Sequence, residues 1–141
     1  MPAPLFDQAH LQQLRALPMG VVVPGDLPQG FSVRSVQAED DPDWGASYRL
    51  TFEGPDGAEL TVEGTAGGVG DIMRGQSRRK FENPNLGRGV LEFYEPGSEE
   101  PVDFHSHWLQ AGPDAPFHSL SGKRLEPESV MKVAESLTPL I

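Results

Sequence analysis

The sequence predicts an α+β domain: a curved antiparallel β-sheet, a meander of half-barrel type, packed against an N-terminal and a C-terminal helix. Three observations carry this. Helical periodicity is confined to the two ends of the chain, at 7–17 and 127–137. Between them, apolar and polar residues alternate in short runs bounded by Gly, Pro, Asp and Asn, the pattern of half-buried strands. With 16 Gly and 14 Pro and 37% hydrophobic residues, the composition suits a turn-rich sheet better than a helical bundle. A length of 141 residues is that of one domain, 1–141, and no internal repeat is present.

At the N-terminal end Asp7 can cap a helix whose Leu11, Leu14 and Leu17 share one stripe, and Pro18 ends it. The stretch LPMGVVVPGDLPQGF, with prolines at 18, 24 and 28, suits an extended, edge-like lead-in to a sheet spanning 20–122. Phe31-Ser-Val-Arg alternates. So does Tyr48-Arg-Leu-Thr-Phe-Glu, with Tyr48, Leu50 and Phe52 on one face. Gly54-Pro-Asp-Gly57 is a turn, and Leu60 and Val62 return inward, which makes a hairpin. The acidic stretch Glu39-Asp-Asp-Pro-Asp43 is expected in the loop before it. Residues 64–89 read as a long Gly/Arg-rich loop. Val90-Leu-Glu-Phe-Tyr reads as a strand, and a second hairpin follows, with strands near 103–110 and 116–121 around Gly112-Pro-Asp-Ala. Pro127 suits the first turn of the closing helix, and Glu126 and Glu128 suit its positive end. Val130, Val133, Ala134 and Leu137 form its buried stripe before Pro139.

Charge and composition exclude several classes. Twenty-one acidic against 11 basic residues give a net charge of −10, so no nucleic-acid partner is expected, because phosphate binding needs a basic surface. The absence of cysteine removes disulfides, thiol catalysis, Cys-ligated zinc and iron–sulfur clusters. The first residues lack the basic and apolar regions of a signal peptide, and the longest apolar run, MGVVVP, is far short of the ~20 residues of a transmembrane helix. The chain as written is expected to be cytoplasmic, and extracytoplasmic if a leader has been removed. Arginine outnumbers lysine 8 to 3 amid abundant Gly, Pro and Ala, as GC-rich coding dictates, which points to a bacterium.

Gly67-Gly-Val-Gly70 is no nucleotide loop. A phosphate-binding loop closes on Gly-Lys-Ser/Thr, whereas Asp71 follows Gly70, and a dinucleotide fingerprint needs a glycine where Met73 stands. No cofactor is implied. The charge of this segment says more. Arg74, Arg78, Arg79, Lys80 and Arg88 stand against Asp71 and Glu82, so 64–89 carries +3 while the rest of the chain carries −13. Arginine offers a planar fork to carboxylate or phosphate oxygens, which makes these five residues the candidates for an anionic ligand. The simpler reading is a solvated loop whose cations pair with neighbouring acids.

Three of the four histidines lie in Phe104-His-Ser-His-Trp-Leu-Gln-Ala-Gly-Pro-Asp-Ala-Pro-Phe-His118. Strand alternation places Phe104 and Trp108 in the core and Asp103, His105 and His107 on the other side. His118 joins them only if the register sets it opposite an odd-numbered residue such as Leu109. Zinc needs three or four ligands at about 2.0–2.2 Å, which Asp103, His105, His107 and His118 could supply. The simpler reading is a wet sheet face. No Gly-x-Ser-x-Gly elbow occurs and no carboxylate pair stands out as an acid/base couple, so catalysis is not expected.

The order Leu27-Pro28-Gln-Gly30-Phe31, Tyr48-x-Leu50, His107-Trp108-Leu109, Phe117, Leu120-Ser-Gly122 and Val133-Ala-Glu-Ser-Leu137 resembles an uncharacterised bacterial domain of unknown function. That domain occurs in extracytoplasmic halves of anti-sigma-factor-like proteins and is loosely similar to the lipoprotein-carrier and sigma-regulator half-barrels. The resemblance covers most of 18–139 and leaves 64–89 outside. It implies a curved sheet wrapped on helices with a sensing or ligand-holding role, and it assigns no site residue. The resulting expectation is a non-enzymatic binding or sensory domain that holds an apolar or anionic ligand. The alternatives are an interaction or stress-response accessory protein that acts through an exposed sheet edge or face, and a metal-dependent enzyme using Asp103, His105 and His107.

Overall fold

The computed structural model describes residues 5–140. Asp7 caps the first helix as its sequence suggests: Oδ1 accepts from the His10 N–H at 2.8 Å, and α1 runs Gln8–Arg15 with Leu14 buried. The proline-punctuated lead-in then enters the core as β1 (Val22–Pro24), all of it buried.

Two three-stranded meanders follow. The first is β2 (Ser32–Asp41), β3 (Gly45–Glu53) and β4 (Glu59–Thr65). The second is β5 (Ser77–Asn83), β6 (Gly87–Phe93) and β7 (Phe104–Ser106). A short β8 (Leu109–Gln110) leads into β9 (Phe117–Lys123), which slots between the meanders and joins them. The result is an eight-stranded antiparallel sheet of order β2-β3-β4-β9-β7-β6-β5, with β8 beside β9, and it does not close into a barrel. Helix α2 (Pro127–Ser136) and β10 (Leu137–Pro139) end the chain, and β10 pairs with β1 as a separate two-stranded sheet. The fold is α+β.

One face of the large sheet carries the core. Tyr48, Leu50 and Phe52 of β3, Leu60 and Val62 of β4, Leu120 of β9, Phe104 of β7 and Leu91 of β6 meet Leu14, Val130, Val133, Ala134 and Leu137 there. Burying each such aliphatic or aromatic side chain contributes about 1.5–3 kcal/mol, which makes this face the main source of stability. Three cross-strand pairs set an aromatic ring over a glycine: Tyr48 on Gly64, Phe81 on Gly89, and Phe104 on Gly122. A Cβ on those glycines would stand 2.1, 2.3 and 2.8 Å from the rings, so the rings can lie flat only because the side chains are missing.

The structure corrects several sequence expectations. Glu39–Asp41 belong to β2, not to a loop, and the chain turns at 42–44. The supposed loop 64–89 contains β5, an edge strand whose first four residues are all exposed, so it has no apolar alternation to announce it. Leu137 leaves the helix to start β10.

Trp108 is not a core residue. Phe104 and His105 pair with Gly122 and Ser121, but Leu109 pairs with His118, so one strand holds an extra residue between these points. This bulge flips the alternation. Leu109 takes the inner place, and Trp108 turns out to donate its Nε1–H to the Gly70 carbonyl at 2.8 Å. Ser106 closes the gap in the ladder, its Oγ accepting from the Leu120 N–H.

Candidate functional site

On the face away from the helices, the register lines up one row of side chains across seven strands: Ser35, Thr51, Thr61, Ser121, His105, Glu92 and Arg78. The row is short and polar over the first meander. At the β7–β6–β5 end it becomes charged.

Glu92 is its centre. It points to the face where β6 meets solvent by alternation, yet it is fully buried, because the segment 66–76 folds back over it. The Gly75 N–H donates to Oε1 at 2.9 Å, and the neighbouring residues of that segment accept from Trp108 and, through the Met73 carbonyl, from the Tyr94 hydroxyl. His107 Nε2 stands 2.6 Å from Glu92 Oε2, and the Arg78 guanidinium 3.4 Å from the same oxygen. Burial opposes ionisation of this carboxyl, but the Gly75 N–H, His107 and Arg78 outweigh it and hold it below the usual carboxylate range. Glu92 is therefore an anion, and His107 Nε2 is the donor of the pair. Nδ1 of His107 is left for an outside partner.

The carboxylate is buried while Arg78 and His107 are each 44% exposed. It fixes the tautomer and direction of the imidazole and tethers the guanidinium beside it, leaving His107 Nδ1 and the outer guanidinium donors toward solvent. His105 flanks the group: its Nδ1 donates to the Ser106 carbonyl at 2.7 Å, and its ring meets Trp108 edge-on at 6.2 Å.

The other sequence candidates scatter. Alternation along β5 sends Arg78 and Lys80 outward and Arg79 to the opposite face, where it lies 3.5 Å from Glu128 of α2. Arg88 faces Glu82 across the β5–β6 pair at 3.6 Å. Lys80 and Arg88 rim an open groove of about 640 Å³ floored by Phe81, Val90 and Met131. Arg74 lines a separate cleft of about 450 Å³ with Glu95, Glu99 and Glu100. These five cations do not form one patch.

Nor do the four metal candidates converge. Asp103 lies before β7 and accepts from the Arg124 N–H at 2.8 Å. His118 is opposite Leu109, the register that sequence alternation equated with the wet face, but the bulge turns that register inward. His118 is buried, and its Nδ1 is 2.6 Å from the Tyr48 hydroxyl, which also accepts from the Val22 N–H at 2.9 Å. Burial pushes its pKa down to about 4. Among the described residues, no group of three His, Cys, Asp or Glu is placed to hold a metal ion.

Sequence reading missed Glu92, the organiser of the site. Its local signal, one acid inside Val90-Leu-Glu-Phe-Tyr, is that of any solvated strand residue. Comparison with protein-family models, with curated proteins and with solved structures finds no match to this chain. Among the described residues no helix is long and apolar enough to cross a membrane.

Proposed function

We propose that the protein is a non-enzymatic binding domain that takes an anionic group, a carboxylate or phosphate, on its outer sheet face at Arg78 and His107. One observation carries the reading: a buried carboxylate, Glu92, holds a half-exposed guanidinium and a half-exposed imidazole in fixed directions. Preorganisation of this kind reduces the ordering cost of binding, and charge-assisted donors suit anion oxygens. Lys80, exposed on the same face of β5, extends the positive field on a chain of net charge −10. The motif order shared with the extracytoplasmic half-barrel domains points to the same sensory or ligand-holding class.

Calorimetric titration with inorganic phosphate and with citrate at about pH 6, where histidine gains charge, tests this. Saturable one-to-one binding is expected, weakened roughly tenfold in His107→Ala and in Arg78→Ala. Absence of saturation at about 10 mM of either anion, or wild-type affinity in both variants, overturns it.

A further inference from the structure

The sheet has two free edges, β2 and β5, and they carry opposite charge. Among the described residues, β2 pairs only with β3 and β5 only with β6. Neither contains a proline, so every backbone N–H on either edge is present. The last three residues of β2 are Glu39, Asp40 and Asp41; near the start of β5 stand Arg78, Arg79 and Lys80. Charges on an edge strand commonly discourage pairing. Here they match each other.

We infer that the partner of each edge is the opposite edge of a second copy of this chain, β2 adding antiparallel to β5 so that the sheet runs on from molecule to molecule. Direction follows from charge. Antiparallel pairing lays the acidic end of β2 on the basic end of β5, whereas parallel pairing would lay it beside Glu82 and bring Arg34 to Arg78. Orientation follows from topology. All six steps from β2 across to β5 are antiparallel, so the two edges run the same way. Antiparallel docking therefore turns the next copy over, and the helical layers alternate sides along the extended sheet.

The faces then mix in one way only. Asp40 is on the core side of β2, paired with buried Ala46, and comes to share a face with Arg78 and Lys80. Glu39 and Asp41, on the outer side, come to share a face with Arg79. The contact is head-to-tail, with the second edge of each copy left free, so growth is open-ended. The inference rests on the free edges and not on the anion reading, although Arg78 and Lys80 belong to both.

Sedimentation equilibrium of the full chain at about 0.1 M salt is the test, because screening over ~10 Å there blunts the overall repulsion between copies yet spares ion pairs in contact. The weight-average mass is expected to rise with concentration and to fall back toward the monomer near 1 M salt, where the screening length is about 3 Å. Glu39→Lys/Asp40→Lys and Arg79→Glu/Lys80→Glu are each expected to be monomeric, since each then carries two edges of one sign. Mixing them restores association, as the basic β2 of one meets the acidic β5 of the other. A wild-type chain that stays monomeric, association untouched by either reversal, or a mixture that remains monomeric overturns the inference.

Discussion

His107 and His118 lie on opposite faces of the same sheet, and the two faces put one residue type to different uses. His118 is enclosed with Tyr48 on the core face, where no charge compensates a proton, and it stays neutral down to a pKa of about 4. His107 sits on the outer face above a buried carboxylate, to which its Nε2 donates. The first histidine helps to fix the core; the second is held out to solvent. What separates them is which way a bulged strand turns and whether an acid lies beneath.

Breaking the core side should have the largest effect. Tyr48→Ala removes a buried ring that crosses Gly64, together with its hydroxyl contacts to His118 and Val22. A loss of about 4 kcal/mol is expected by urea denaturation, as for other buried aromatics cut to alanine. His107→Ala should lie within about 1 kcal/mol of wild type, being half-exposed and away from the core. Similar losses in the two variants would mean that the outer site is as structural as the core.

Titration sharpens the contrast. The folded pKa of His118 is lowered from 6.5 to about 4, so between those values the unfolded chain binds the proton and the folded chain does not. Stability is then complete above pH 6.5 and falls as pH drops toward 4, by about 3 kcal/mol in all. Glu92 shifts in the opposite sense to a buried lone acid. Its pKa is lowered from 4.5, so its contribution is complete above that value and is lost only as pH falls below it. Unfolding free energy against pH should therefore show two limbs. His118→Asn, whose amide oxygen can still accept from Tyr48, should remove the upper limb and leave the lower one. An upper limb that survives the substitution would assign it to another group.

The core side of this contrast was legible in the sequence, and the outer side was not. Tyr48, Leu50, Phe52, Leu60 and Val62 face the core as their alternation requires, because β3 and β4 pair without a shift along their length. Alternation fails beyond Ser106, where one inserted residue exchanges Trp108 for Leu109 and carries His118 inward. A bulge is set by the pairing of two strands and leaves no mark in either alone. Glu92 was hidden for a similar reason. Its burial comes from Gly75, seventeen residues earlier in the chain, through a fold-back that no local pattern encodes. β5 escaped notice because edge strands with charged side chains read as loops.

The test most specific to the outer site alters its acid. Glu92→Gln keeps the shape of the side chain and can still accept from the Gly75 N–H through its amide oxygen. Its amide nitrogen then faces His107 Nε2 with a donor, so His107 must change tautomer, and Arg78 loses its counter-ion. A loss of about 1–2 kcal/mol near neutral pH is expected, the range for one disturbed buried polar contact. The acid limb below pH 4.5 should shrink while the His118 limb stays, and nitrogen-15 spectra of His107 should show its proton moved to Nδ1. With Nδ1 converted from acceptor to donor, anion binding should survive in the neutral histidine and lose its dependence on histidine charge. An unchanged acid limb, with the His107 proton still on Nε2, would remove Glu92 from the centre of the site.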